Sequence, residues 1–169
     1  MIEFIRMKII DHFNKIRDIP YAIPLSSSDE DCCCNGKVRK LKELLEQEGY
    51  RVRYRVCTFC WSDLSIPEEI LNLQKDDIAT HVYLEVDIDG TWIKVDPTWD
   101  AGLGNILPVA DWDGKTDTLL AVASIEVYSV EKSAEIMSDC QSEDVAQNRS
   151  DIDVGFEIAF NAWLEKNRG

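Results

Sequence analysis

The chain has no run of apolar residues that approaches a membrane span, so a membrane-embedded role is not expected. It is poor in positive charge, with 18 Lys and Arg against 32 Asp and Glu and a formal charge of −14. A nucleic-acid binder needs a basic face, and that class is set aside. Histidine is scarce: His12 and His81 are the only two, which narrows where imidazole chemistry can sit. Met1 to Ile19 mixes acids and bases with short apolar steps, and no secretory signal is read there. A cytosolic, reducing setting with free thiols is therefore expected. There is no internal repeat and no linker, so residues 1–169 read as a single domain long enough to bury a core.

Against these absences stand six cysteines, three of them adjacent, in Asp31-Cys32-Cys33-Cys34-Asn35-Gly36. The chain leads into them through a helix. Ile2, Ile5, Ile9, Phe13 and Ile16 recur at helical spacing and predict one to about Arg17. Pro20 and Pro24 then give an extended stretch. Ser26 to Asp31 reads as a loop and helix N-terminus, with acids where the helix dipole favours them. A second helix is expected from Cys32 to Glu48, stopped by Gly49. Cys34, Val38, Leu41 and Leu45 share one face of it, while Lys37, Arg39, Lys40, Glu43, Glu46 and Gln47 cover the others. Cys34, rather than Cys32 or Cys33, is thus in line with the buried stripe.

Tyr50 to Trp61 alternates apolar residues with Arg51, Arg53 and Arg55, which predicts a strand with one solvated face. A short helix follows Pro67. His81 to Ile88 alternates again, Asp89-Gly90 is a strong hairpin signal, and Thr91 to Asp96 returns as the partner strand. With a two-residue loop, Ile88 faces Thr91 and Tyr83 faces Asp96. His81 and Asp96 then fall on one face as diagonal neighbours. Ala101 to Thr118 reads as loop, Leu119 to Val130 as another strand, and Ser138 to Asp153 as an irregular polar segment. Phe156, Phe160, Trp163 and Leu164 mark a final amphipathic helix.

A thiolate is a nucleophile, and a helix N-terminus or a nearby imidazolium lowers a thiol pKa. Asp29, Glu30 and Asp31 push the other way by like charge. A lone cysteine is otherwise a small buried hydrophobe. A histidine at a strand start is usually structural, yet a carboxylate on the same face can hold its tautomer and stabilise the imidazolium. Cys34, His81 and Asp96 together are the set that covalent acyl chemistry needs. His12 has no evident acid partner and reads as structural. Cys57-Thr58-Phe59-Cys60 has zinc-type spacing, but a strand sends its two thiols to opposite faces and no second such pair exists. No metal and no cofactor are expected.

The chain resembles the transglutaminase-like superfamily, the papain-like fold of transglutaminase cores and peptide N-glycanases. The likeness rests on Cys34 opening a helix that ends in Leu44-Leu45-Glu46-Gln47-Glu48-Gly49-Tyr50-Arg51-Val52-Arg53-Tyr54, on His81-Val82-Tyr83-Leu84-Glu85-Val86, and on Trp92-Ile93-Lys94-Val95-Asp96-Pro97-Thr98-Trp99-Asp100. Arg17-Asp18-Ile19-Pro20-Tyr21 adds to it. The resemblance implies an α+β fold, an antiparallel sheet with the nucleophile helix packed against it. It implies Cys34 as nucleophile, His81 as general base and acid, and Asp96 as orienter, in a hydrolase or acyltransferase acting on a peptide or protein substrate. The family usually has a glycine shortly before the cysteine; here Glu30-Asp31 and two more cysteines stand there. The backbone N–H of Cys34 is the expected oxyanion donor, with Tyr21 as a candidate second. A non-catalytic binding or scaffold domain is the alternative, and the acidic flank of Cys34 is the feature in its favour.

Overall fold

A computed structural model describes residues 2–140 and 151–169. The chain is mixed α+β. Helix α1 spans Ile2–Arg17 and α2 spans Cys34–Gln47; strand β1 spans Val52–Cys60. A 3-10 turn (Trp61–Asp63) and the short α3 (Glu68–Leu71) lead to β2 (Ile78–Ile88) and β3 (Thr91–Val95). A second 3-10 turn (Ala101–Leu103), α4 (Val130–Asp139) and α5 (Asp151–Asn167) follow.

The sheet is antiparallel in the order β1-β2-β3. Its second hairpin turns at Asp89 (φ 52°) and Gly90 (φ 86°). Two successive left-handed residues make the tight loop whose twist matches that of the strands. Ile88 accordingly pairs with Thr91 and Leu84 with Val95. On the other side of β2, His81 pairs with Cys57 and Glu85 with Arg53.

The sheet separates two apolar clusters. Ile9, Phe13 and Ile16 of α1 and Val38, Leu41 and Leu45 of α2 pack with Val82, Leu84 and Val86. Tyr83, Cys57 and Phe59 face the other cluster, with Tyr21, Trp99, Leu103 and α5 residues Phe156, Phe160 and Leu164. The helical stripe expected of α1 is thus seen at Ile9, Phe13 and Ile16, while the side chains of Ile2 and Ile5 lie outside the described residues. Both faces of β2 are covered, which is why His81 through Val86 are all buried.

Three expectations change. The arginine face of β1 is not free solvent: Arg53 Nε donates to Glu85 Oε2 at 2.7 Å and Arg55 Nη1 to Glu85 Oε1 at 2.9 Å, across a carboxylate that is itself buried. His12 has an acid partner after all, with Nε2 3.3 Å from Glu48 Oε1. As expected, the acids of the loop lie ahead of α2, whose first turn contains none. Leu119 to Val130 is not a strand. Ala121 is held at the Asp96 loop, and the chain reaches β1 only as a bridge at Cys57 and Val127 before α4 begins. Of Ser138 to Asp153, residues 138–139 close α4 and 151–153 open α5; the intervening 141–150 lie outside the described residues.

Candidate active site

Cys34 is the first residue of α2, and extended Cys33 (φ −84°, ψ −171°) is its N-cap. Gly49 (φ 89°) ends the helix as its sequence implies, its N–H bonding to Glu46 O at 2.9 Å. α2 lies on β1 and β2, bringing its N-terminus to the strand that carries His81. The register of the second hairpin brings Asp96 to the same place.

His81 and Asp96 meet. Nε2 of the ring is 2.8 Å from Asp96 Oδ2, and both side chains are almost fully shielded. This leaves Nδ1 as the ring nitrogen for Cys34, whose thiol interacts with the imidazole. Asp96 is held by more than histidine. Oδ2 also accepts the Ala121 N–H at 2.8 Å, and Oδ1 accepts the Thr98 hydroxyl at 2.5 Å and the Thr98 N–H at 3.2 Å. The Asp96 N–H in turn donates to Thr118 Oγ1 at 2.9 Å.

Charge follows from this geometry. Burial opposes an imidazolium, but the Asp96 charge and hydrogen bond and the Cys34 sulfur outweigh it, and His81 is pushed up to about 10. Burial likewise opposes ionised Asp96; His81, the Ala121 N–H and Thr98 keep it below the usual carboxylate range. The Cys34 thiol lies well below its ordinary value. The adjacent Cys33 thiol lowers it most, and His81 and the Val82 N–H add to this against the cost of burial. Both shifts favour a thiolate beside an imidazolium. Cys57, fully buried on the strand opposite His81, goes the other way: burial and the charges on Asp96 and Cys34 push it up to about 12. It stays a neutral thiol in the floor of the site.

Several contributing residues were not singled out from sequence. Lys37, set there on a face other than the buried stripe, has no exposed surface. Its Nζ donates at 2.8 Å to Arg17 O and at 2.8 Å to Thr98 O. Helical phase carried the signal, because position 37 is three residues from Cys34 and four from Leu41, on the same side. Asp100, two residues past Thr98, accepts the Tyr21 N–H at 2.9 Å and Arg168 Nε at 3.1 Å; Arg168 Nη2 also reaches Tyr21 O at 3.0 Å. The chain end thus fastens the segment upstream of the cysteines, as does Asn161, whose amide brackets the Ile23 backbone at 2.9 and 2.8 Å.

All six cysteines are free. Among the described residues no group of three or more His, Cys, Asp or Glu is placed to hold a metal ion, and no helix is long and apolar enough to cross a membrane. A cleft of about 520 Å3 is lined by Leu64, Ile106, Leu107, Leu120 and Ala121 among others. It touches neither Cys34 nor His81.

No family model, no curated protein and no solved structure matches this chain.

Proposed function

We propose that the chain is a cysteine-dependent acyl-transfer enzyme acting on a peptide or amide bond, in a papain-like, transglutaminase-core arrangement. The observation that carries this reading is the buried His81–Asp96 hydrogen bond at 2.8 Å, beside a cysteine that opens a helix. A buried histidine with a purely structural task has no need of a second, ionisable partner.

In this reading the Cys34 thiolate adds to the substrate carbonyl carbon. The oxyanion forms near the start of α2, where the Cys34 N–H is one donor. Tyr21 is the second candidate. Burial and the charges of Cys33 and Cys34 raise its pKa well above 10.0, so its hydroxyl keeps its proton and can donate. Imidazolium His81 protonates the leaving amine as the C–N bond breaks, which leaves a thioester on Cys34. Neutral His81 then takes a proton from water, and the hydroxide equivalent releases the acid and regenerates the thiolate. An amine in place of water gives transamidation by the same steps; hydrolysis is favoured because water is always present.

Iodoacetamide at about pH 6 tests the reading, because at that pH a free thiol is almost unreactive. Rapid modification of Cys34 that slows in His81→Ala supports it. Modification no faster than that of a free thiol refutes it and leaves a binding or scaffold domain.

A further inference from the structure

The loop before α2 puts three acids beside a site that depends on a thiolate, and like charge disfavours one. The structure disposes of each. Asp29 Oδ2 accepts the Leu25 and Ser26 N–H groups at 2.9 and 3.0 Å, and Glu30 Oε1 lies 2.5 Å from Lys40 Nζ. Asp31 alone stays against the cysteines. Its backbone carbonyl packs over Gly36 so closely that a Cβ there would lie 1.8 Å from the oxygen, which fixes the residue in place. Its Oδ2 lies 3.6 Å from Arg39 Nη1. Its Oδ1 accepts the Cys33 N–H at 3.1 Å and the Cys33 thiol at 2.9 Å. Cys33 therefore engages one carboxylate oxygen with two donors.

We propose that Cys33 is a positioning residue for the nucleophile: its thiol and backbone N–H, both given to the Asp31 carboxylate, hold the acidic loop's charge off the Cys34 thiolate. This rests on the enzymatic reading above. The groups facing Cys33 are Asp31 from its own loop, Cys34 from α2 and Tyr21 from the preceding segment; Arg39 reaches Asp31, and Glu157 of α5 faces Tyr21. With both partners anionic, Cys33 gains nothing by ionising. Cys34, burial and the Asp31 charge all raise its pKa, so the proton stays available. The thiol that carries that proton lies 2.9 Å from Asp31 Oδ1 while Cys34 is free, so the carboxylate is engaged before any substrate arrives.

The test is the pH dependence of Cys34 alkylation by iodoacetamide, read on the Cys34 peptide by mass spectrometry, with a thermal melt of each variant. Cys33→Ala moves the half-maximal pH up by about one unit or more, and Cys33→Ser, which keeps one proton in place, stays nearer the wild type. Adding Asp31→Asn to Cys33→Ala brings the profile back down, because the unshielded charge is gone. A Cys33→Ala profile superimposed on the wild type overturns the proposal. So does Asp31→Asn alone lowering the half-maximal pH by about one unit or more, since a shielded charge is worth less than that; this holds even if Cys33→Ala does not fold. Fast wild-type labelling at about pH 6 with an unchanged Cys33→Ala profile sinks this inference and spares the enzyme. Ordinary slow labelling of the wild type sinks both.

Discussion

Lys37 Nζ donates to Thr98 O at 2.8 Å, so a side chain one turn into the nucleophile helix grips the backbone two residues past Asp96. The same ammonium donates to Arg17 O, and one buried cation joins α1, α2 and the acid loop. Lys37→Met leaves both carbonyls without that donor and is expected to cost about 2 kcal/mol or more in denaturant unfolding. Relief from burying a charge offsets part of the loss. Burial lowers the Lys37 pKa from 10.5 to about 8. Between those values the unfolded chain binds the extra proton, so wild-type stability rises with pH relative to Lys37→Met. A stability gap that is flat over that range contradicts the assignment.

Asp96→Asn tests the acid. Both carboxylate oxygens are occupied by donors: His81 and Ala121 on Oδ2, and two Thr98 donors on Oδ1. Either orientation of an amide presents its NH2 to a donor, so no flip rescues the site. A stability loss of about 3 kcal/mol is expected, with turnover falling by about 10^4 as the ring loses its tautomer. The Cys34 alkylation profile moves to higher pH. Unchanged labelling would show that Asp96 does not act through His81.

How much of this could be read in the residues differs by kind of interaction. Asp89-Gly90 specifies a two-residue turn, and period-2 side-chain alternation then carries His81 and Asp96 to one face; that step is local and it is found. The face of α2 that holds Cys34 followed in the same way from spacing. Lys37 was misplaced because its polar head outweighed its helical phase, although the fold supplies two carbonyls for it. The Leu119–Val130 strand failed for a non-local reason. The Ala121 N–H goes to Asp96 and its carbonyl to Trp99 Nε1 at 3.0 Å, so the first part of the segment is tied to the Asp96 loop and only Ile125 to Tyr128 bond to β1. Nothing in an alternating pattern reports which distant carboxylate needs an N–H.

Gly36→Ala sets propensity against packing. In an exposed helix that change adds about 1 kcal/mol of stability. Here the new methyl would sit 1.8 Å from the Asp31 carbonyl oxygen and 2.6 Å from its carbon. Both are backbone atoms, so the acidic loop must shift and take Cys33 with it. A net loss of about 3 kcal/mol is expected on overpacking grounds, together with slower Cys34 labelling. A more stable Gly36→Ala protein would mean that the loop does not lie against α2.

The pH range of activity follows from the two charged partners. His81 is raised from 6.5 to about 10, so the stability its charge contributes is fully present below 6.5 and lost as pH rises through about 10. Cys34 is depressed, so its contribution is present above 9.0 and lost as pH falls through its lowered value. Turnover needs both the thiolate and the imidazolium that protonates the leaving amine. It should therefore be level across neutral pH and decline on the alkaline side near 10, while alkylation of Cys34, which needs the thiolate alone, does not decline there. In His81→Ala the acid limb of alkylation moves up but stays below that of a free thiol, because Cys33 and the Val82 N–H still favour the thiolate. An alkaline limb of turnover near the ordinary histidine value of 6.5 would show that Asp96 does not hold the proton on the ring.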